Sequence, residues 1–298
     1  MNSIKTKSIR PRLHGIFSMS IPYEIRNTTG DWSLWFGEWE AQRKGWFDTQ
    51  SCWSYAANEV CEDQLEFLMK TNRFSKTDIK WFQDNGYIDS DGDFYLSRRF
   101  IPILSGVRDT GNDESEFWRL TKKYGAIPSA MLPFTTQEEY FDTSKITPAM
   151  YALGKEFLKR VDIRYEELGK RFTRKAPELI KTALFQTELQ IGVPVPQYTS
   201  WNQTKIKYEG DPTPAHSVAL YKYDESDPEY PYFVYDQYEP KLKQLSKDYF
   251  ITLCTKAVIN PKNPFAVNTV PQTSWGALIW RAIASYFGFE VRDTQVST

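Results

Sequence analysis

Histidine is scarce in this sequence, which has only 2 His among 298 residues, at His14 and His216. A catalytic cysteine usually needs an imidazole partner, so the scarcity leaves few candidates for such a pair. Cysteine is nearly as rare, since the chain has 3 Cys, at Cys52, Cys61 and Cys254. An odd number of cysteines without motif spacing predicts neither a disulfide framework nor a zinc site. We therefore expect free thiols, no metal and no cofactor.

Excess charge and long apolar runs are also lacking. The chain balances 37 basic residues against 38 acidic ones, a net charge of −1, which argues against nucleic acid as a partner because that binding needs positive charge. No stretch approaches the ~20 apolar residues that span a bilayer, so we expect no transmembrane segment. The polar start at residues 1–7 is followed by no apolar run, which predicts no signal peptide and a protein made in a reducing cytoplasm.

Apolar and aromatic residues are plentiful, at 41% and 16% of the chain. This is enough for a sizeable core in one large domain or two lobes. We divide the chain into an N-terminal extension (1–44), a main domain (45–258) and a C-terminal tail (259–298). The tail ends in an amphipathic helix over 274–288, and a partner protein or a membrane surface is an alternative to docking on its own domain.

The stretch from Asp48 to Ala57, DTQSCWSYAA, organises the prediction. We interpret Asp48 as an N-cap and expect a helix from there to about Lys70. A thiol in the first turn of a helix faces the positive end of the macrodipole, which favours the reactive thiolate. We therefore predict that Cys52 is a nucleophile, whereas Cys61 lies in the apolar stripe of the same helix and is expected to be an inert core thiol.

The rest of the chain changes character near residue 190. Short helices are predicted over 76–84 and 114–124, and residues 135–190 are expected to be mostly helical, including 155–173 and 177–189. Later segments alternate apolar and polar residues with the period of a strand. A strand at 215–223 carries His216, and the returning strand at 232–238 carries Asp236.

Paired antiparallel strands can bring His216 and Asp236 within hydrogen-bond reach. An aspartate there would fix the imidazole tautomer and stabilise the imidazolium. A single His in a strand is more often a satisfied core residue. The combination of a thiol at a helix start with a later His strand and carboxylate strand nevertheless supplies the nucleophile, the base and the orienting group that cysteine catalysis requires.

These segments resemble the papain-like cysteine peptidases. Residues 50–56, QSCWSYA, are similar to the family's nucleophile helix, and 215–220, AHSVAL, to its His strand. Residues 235–238 resemble its orienting segment, and 124–134 resemble the region between. The resemblance implies an α+β, two-lobe fold with a helical lobe (about 45–134) carrying Cys52. It also implies a β-rich lobe (about 190–258) carrying His216 and Asp236, with a helical insertion between the lobes.

The family resemblance further implies a cysteine endopeptidase that acts on peptides or proteins through a thioester intermediate. The family usually places an oxyanion-hole glutamine six residues before the cysteine, where this chain has Trp46. Gln50 is the candidate substitute. Asp48 is anionic and therefore a poor oxyanion donor, and the orienting residue is Asp236 where the family has asparagine.

Residues 47–52 and 96–100, together with 105–106 and 110–112, look like divergent papain-like proteins encoded by tailed bacteriophages. This implies synthesis in the host cytoplasm and possible incorporation into a virion, with virion proteins contacting the 274–288 helix. Two alternatives stay open. One is a phage peptidoglycan hydrolase, although the long separation of Cys52 and His216 favours the larger peptidases. The other is a non-catalytic structural virion protein, which would have no need of a complete Cys, His and Asp set.

Overall fold

The computed structural model describes residues 24–45, 47–106, 111–170, 176–195, 201–210 and 216–264. The predicted helix at 274–288 and Trp46 lie outside these ranges. The described chain combines helices, mostly in its first half, with strands, mostly in its second. It has the α+β, two-lobe architecture that the sequence predicts.

The helices and strands are numbered here in chain order. The helices are α1 (Cys52–Lys70), α2 (Lys76–Asp84), α3 (Phe100–Ser105), α4 (Glu114–Tyr124), α5 (Gln137–Phe141), α6 (Pro148–Leu158) and α7 (Ala176–Leu184). The strands are β1 (Arg43–Lys44), β2 (Phe47–Asp48), β3 (Val161–Lys170), β4 (Leu189–Val193), β5 (Lys205–Ile206), β6 (His216–Tyr223), β7 (Tyr232–Tyr235), β8 (Leu242–Leu245) and β9 (Leu253–Pro261).

Helix α1 is the centre of the core. Every residue from Trp53 to Leu68 is buried, including Cys61 as predicted. The helix packs on strands β4, β6 and β9 and also on α4, so that polar positions outside its apolar stripe are covered too. The sequence pattern indicated only one buried face, because the elements that cover the other faces come from distant parts of the chain.

The main sheet has seven strands in the order β3-β9-β4-β6-β7-β8-β5. All neighbours pair antiparallel except β5 and β8, which are parallel. Strands β6, β7 and β8 are consecutive in both sequence and space. The loop that follows β7 therefore lies beside the start of β6, where His216 is located.

The predicted helix over 155–173 is wrong. Helix α6 ends at Leu158, and β3 follows as the edge strand, paired with β9 from Val161 to Lys170. Alternation of buried Val161 and Ile163 with polar neighbours is a strand pattern, but its partner lies about 90 residues further on, beyond the reach of local pattern. The helix predicted over 177–189 also ends early, at Leu184, because Leu189 begins strand β4, which lies inside the sheet.

The predicted boundaries at residues 45 and 258 stay predictions. Trp32, in the predicted N-terminal extension, is buried in the core, and its Nε1 donates to the carbonyl of Leu184 at 2.7 Å. Trp39 lies in the same segment, and its Nε1 donates to the carbonyl of Asp236 at 2.8 Å. This tryptophan-rich segment therefore supports the loop that carries Asp236.

Buried acids on α1 organise the chain segments around it. Glu62 Oε1 accepts the backbone N–H of Leu96 at 2.6 Å, and Glu66 accepts that of Phe94. Asp63 Oδ1 accepts the backbone N–H of Gly37 at 3.1 Å. These carboxylates supply acceptors to loop backbone that would otherwise be buried without a partner.

Asp63 and Glu188 form a carboxyl pair inside the protein. Within the described part of the chain, Asp63 Oδ2 and both Glu188 oxygens have no N–H or O–H donor from another group. The two carboxyls lie close enough to interact, and the charge of Glu188 disfavours ionisation of Asp63. Burial is the main cause that raises the pKa of both carboxyls, that of Glu188 to about 8.

This pair predicts that stability falls as the pH rises. The folded protein keeps a proton on Glu188 that the unfolded chain releases, so the contribution is present below about pH 4.5 and is lost as the pH rises through 8. Between pH 5 and 8 we expect the free energy of unfolding of the wild type to fall by roughly 1 kcal/mol per pH unit more than that of Glu188→Gln. Thermal unfolding measures this as roughly 2–4 °C per pH unit. Glu138→Gln, on the exposed face of α5, should follow wild type, and a parallel decline in Glu188→Gln would contradict a proton retained on Glu188.

Candidate active site

Cys52 is the first residue of α1 and is half-buried. The N-cap is Ser51, whose hydroxyl donates to the Thr49 carbonyl at 3.0 Å rather than capping the helix. The predicted N-cap role of Asp48 is therefore wrong, because Asp48 lies in strand β2 before a turn. Its Oδ1 instead accepts the backbone N–H of Gln50 at 2.8 Å.

One buried glutamine fixes the first turn of α1 to the sheet. Gln190 in β4 donates through Nε2 to the carbonyl of Trp53 at 2.8 Å and to Ser217 Oγ at 3.2 Å. Its Oε1 accepts from Trp118 Nε1 at 2.8 Å. Because Trp53 follows Cys52 and Ser217 follows His216, this side chain links the segment that carries the thiol to the strand that carries the imidazole.

His216 and Asp236 meet as the sequence predicts. Nε2 of His216 lies 2.6 Å from Oδ1 of Asp236, and both side chains are buried. The His216 ring is also hydrogen-bonded to Cys52. Since Nε2 is engaged by Asp236, Nδ1 is the nitrogen available to the thiol. Cys52, His216 and Asp236 thus lie together, and their catalytic role stays a prediction.

The charges around His216 favour its protonated form. Burial lowers its pKa, but the Asp236 charge and the hydrogen bonds to Asp236 and Cys52 outweigh that effect and raise the pKa to about 10. The Asp236 carboxyl is buried, which works against its ionisation, yet the charges of His216 and Lys243 bring its pKa below the usual range. At neutral pH the site therefore contains an imidazolium and a carboxylate.

Three further side chains enclose this pair, and sequence reasoning missed all of them. The Trp201 ring lies edge-on to the His216 ring with centroids 5.4 Å apart, and the Tyr238 ring lies 5.1 Å away on another side. Lys243 contacts Asp236. A lysine in a strand ordinarily indicates an exposed position, so the local sequence carries no signal for this one.

Two glutamines are candidates for the oxyanion donor. Gln50 is exposed and its backbone is left-handed, with φ 53°. Gln42 is buried, and its Nε2 donates to Asp48 Oδ1 at 2.7 Å, while its backbone N–H donates to the carbonyl of Gln237 at 3.2 Å. The hairpin of β1 and β2 separates Gln42 from Cys52, which explains why a search at six residues finds Trp46 and misses Gln42.

In the described ranges, no group of three His, Cys, Asp or Glu side chains is arranged to bind a metal ion. No helix in the same ranges is long and apolar enough to cross a membrane.

Solved structures of cysteine proteases share the fold of this chain. The proform of the ragweed pollen cysteine protease Amb a 11 matches over 78% of this chain, with a TM-score of 0.50 and 15% identity. Procathepsin L2 from the larval midgut of Tenebrio molitor matches over 80%, with a TM-score of 0.51 and 9% identity. The fold is papain-like. The cysteine protease CMS1MS2 of Carica candamarcensis, solved in complex with E-64, matches over 77% of this papain-like chain, with a TM-score of 0.50 and 11% identity.

The share of each solved structure that this chain matches differs. The papain-like chain spans 66% of the ragweed proform, 69% of the Tenebrio proform and 97% of the Carica protease. No protein-family profile matches the sequence, and no curated protein matches it either. At identities of 9–15% the likeness establishes the fold.

Proposed function

We propose that this papain-like protein is a cysteine endopeptidase in which Cys52 is the nucleophile, His216 the acid and base, and Asp236 the orienting residue. The observation that carries the proposal is the continuous chain of contacts from the thiol to the imidazole and from Nε2 to the carboxylate. A strand and a loop from one lobe thereby meet a helix start from the other. That is the arrangement that nucleophilic catalysis by a thiol needs.

The geometry supports a two-step reaction. The Cys52 thiolate attacks the carbonyl carbon of the peptide, forming an S–C bond as the C–N bond breaks, and the His216 imidazolium gives its proton to the departing amine. This leaves a thioester and a neutral imidazole. His216 then takes a proton from water, the resulting hydroxide attacks the thioester, and the acid product leaves with Cys52 restored. Asp236 stays ionised throughout and holds the ring in one orientation.

The reaction needs donors for the developing oxyanion. The backbone N–H of Cys52 is in the first turn of α1 and has no acceptor within the helix, which makes it one candidate donor. We propose the amide of Gln42 as the other, since it is buried next to the loop that carries Asp236.

Substitution of the two glutamines distinguishes them. Gln42→Ala is expected to lower kcat/KM for a peptide substrate by about 10²- to 10³-fold, the usual effect of removing one oxyanion donor. Gln50→Ala should leave the rate within a small factor of wild type. Steady-state kinetics measures both, and the reverse order would return the role to Gln50.

Reaction of the thiols with an epoxide inhibitor tests the function directly. Cys52 is half-buried and hydrogen-bonded to His216, whereas Cys61 and Cys254 are fully buried and burial raises their pKa. We expect an E-64-type epoxide to modify Cys52 rapidly and in a 1:1 ratio, with the modified peptide identified by mass spectrometry. Labelling of Cys52 at the rate of Cys61 or Cys254 would refute the endopeptidase.

We also propose a bacteriophage source, synthesis in the host cytoplasm and incorporation into a virion, with virion proteins as partners of the 274–288 helix. What supports this is the resemblance of residues 47–52 and 96–100 to divergent phage proteins. Parallel assays on a protein substrate and on purified peptidoglycan separate the endopeptidase from a cell-wall hydrolase. Failure of both assays, together with unreactive Cys52, would instead indicate a structural protein.

A further inference from the structure

The carboxylate of Asp236 has a second partner on the side away from His216. The side chain of Lys243, in β8, has an exposed fraction of 0%, and its Nζ lies 2.6 Å from Asp236 Oδ2. Trp201 Nε1 donates to the same oxygen at 2.7 Å. The other oxygen, Oδ1, holds Nε2 of His216 at 2.6 Å. Each oxygen of this buried carboxylate therefore has its own cationic partner, His216 at Oδ1 and Lys243 at Oδ2.

The Lys243 ammonium is fixed in one orientation. Besides Asp236, its Nζ donates to the carbonyl oxygens of Tyr238 and Pro240, each at 2.6 Å. An ammonium has three donors, so these contacts use all of them. The two carbonyls belong to the loop between β7 and β8. Lys243 thus holds both the carboxylate and the loop that presents it.

The sheet places these groups on one face. Lys243 pairs with Val234 across β7 and β8, and Asp236 lies two residues after Val234. Residues two apart in a strand point to the same face, as do directly paired residues. Strand β6, which begins at His216, is the other neighbour of β7. Lys243 therefore comes from the sheet itself, and Asp236 comes from the loop that directly follows β7.

A cation at this place changes what Asp236 does to the imidazole. A buried carboxylate bonded only to His216 would hold the imidazolium proton tightly, because the two charges attract strongly where water is excluded. The reaction requires that proton to leave with the amine. We propose that Lys243 is a positioning residue, which fixes Asp236 toward His216 and offsets its charge so that the imidazolium can release its proton. The catalytic consequence rests on the proposed function, whereas the effect on His216 does not.

Other groups around the pair do not duplicate this charge. The Cys52 thiol and the Tyr238 ring contact His216 directly. Behind them, Asp48 accepts the Tyr238 hydroxyl, and Glu59 lies close enough to Asp236 for their charges to interact. All four are neutral or acidic side chains. Lys243 is thus the cation that acts on Asp236 from the side opposite His216.

Titration of His216 by NMR tests the inference without any substrate. The chain has only 2 His, so ¹³C-labelled histidine gives few signals, and His14→Gln assigns them. The Cys52→Ala background removes the coupled thiol. We expect Lys243→Met to raise the His216 pKa by about one unit, the size of a unit charge acting across one carboxylate. Asp236→Asn should lower the pKa, and adding Lys243→Met to Asp236→Asn should not change it further.

Two results of this titration would contradict the role of Lys243. No upward shift in Lys243→Met, or the same shift in the Asp236→Asn background, would overturn the inference. Lys256→Met is the matched control, since Lys256 is a buried strand lysine whose Nζ lies 2.6 Å from Glu166 in another part of the sheet. If Lys243→Met fails to fold, Lys243→Gln keeps donors without the charge and carries the same comparison.

Kinetics connects the titration to catalysis. In the enzyme with Cys52 intact, Lys243→Met should lower kcat at unchanged KM and move the alkaline limb of the pH profile upward. A shifted titration in a protein that hydrolyses nothing would leave the Lys243 inference standing and remove the proposed function. Normal hydrolysis with an unshifted titration would leave the proposed function standing and remove the Lys243 inference.

Discussion

Exchange of Cys52 for alanine is expected to lower peptide hydrolysis by about 10⁴- to 10⁶-fold, because no other group in the site can form the thioester. His216→Gln should cause a loss of similar order, since the glutamine can neither take nor give the proton. Groups that act as a unit are strongly non-additive. The double variant should therefore be no slower than the slower single variant, when initial rates are measured with a fluorogenic peptide.

The other two cysteines provide the controls for this experiment. Cys61→Ala and Cys254→Ala alter buried core positions and should lower the free energy of unfolding without changing the rate per folded molecule. Circular dichroism of each variant gives the folded fraction. Hydrolysis retained in Cys52→Ala, or lost in Cys254→Ala at full folding, would place the chemistry elsewhere.

Arg98→Met is expected to destabilise the protein by about 3–5 kcal/mol, the cost of removing one partner from a buried ion pair. The Arg98 side chain is almost fully buried, with its Nη2 2.7 Å from Glu62 Oε2 and its Nε 3.8 Å from Glu40 Oε2. Burial opposes its charge, but Glu62, Glu59 and Glu40 raise its pKa above the ordinary value. Without this cation, the acids on and around α1 would be left uncompensated.

Urea unfolding followed by tryptophan fluorescence measures the loss. Arg119→Met is the matched control, since Arg119 is more than half exposed and pairs with Glu116 three residues away on α4. Such surface pairs contribute about 0–1 kcal/mol. Arg98→Met combined with Glu62→Gln should recover part of the stability. Equal losses in Arg98→Met and Arg119→Met would contradict a central role for the buried pair.

The three candidate catalytic residues could be predicted because each is located by a local pattern. Cys52 begins an apolar helical repeat, and His216 and Asp236 lie in two successive segments with strand periodicity. Hairpin connection makes the last two neighbours in space. The helix wrongly predicted over 155–173 shows the limit of this approach, since β3 is a strand only by virtue of its pairing with the distant β9.

The sequence by itself determined the order of the helical and β-rich parts and predicted which thiol, imidazole and carboxylate lie together, because helical and strand periods are local properties. Only the tertiary structure decided the electrostatics of the site. Lys243 is buried against Asp236, and Gln42 is buried beside the same loop, although neither position is marked by its neighbours in the chain. Charge interactions depend on distance and on exclusion of water, and both are set when separate strands and helices pack together.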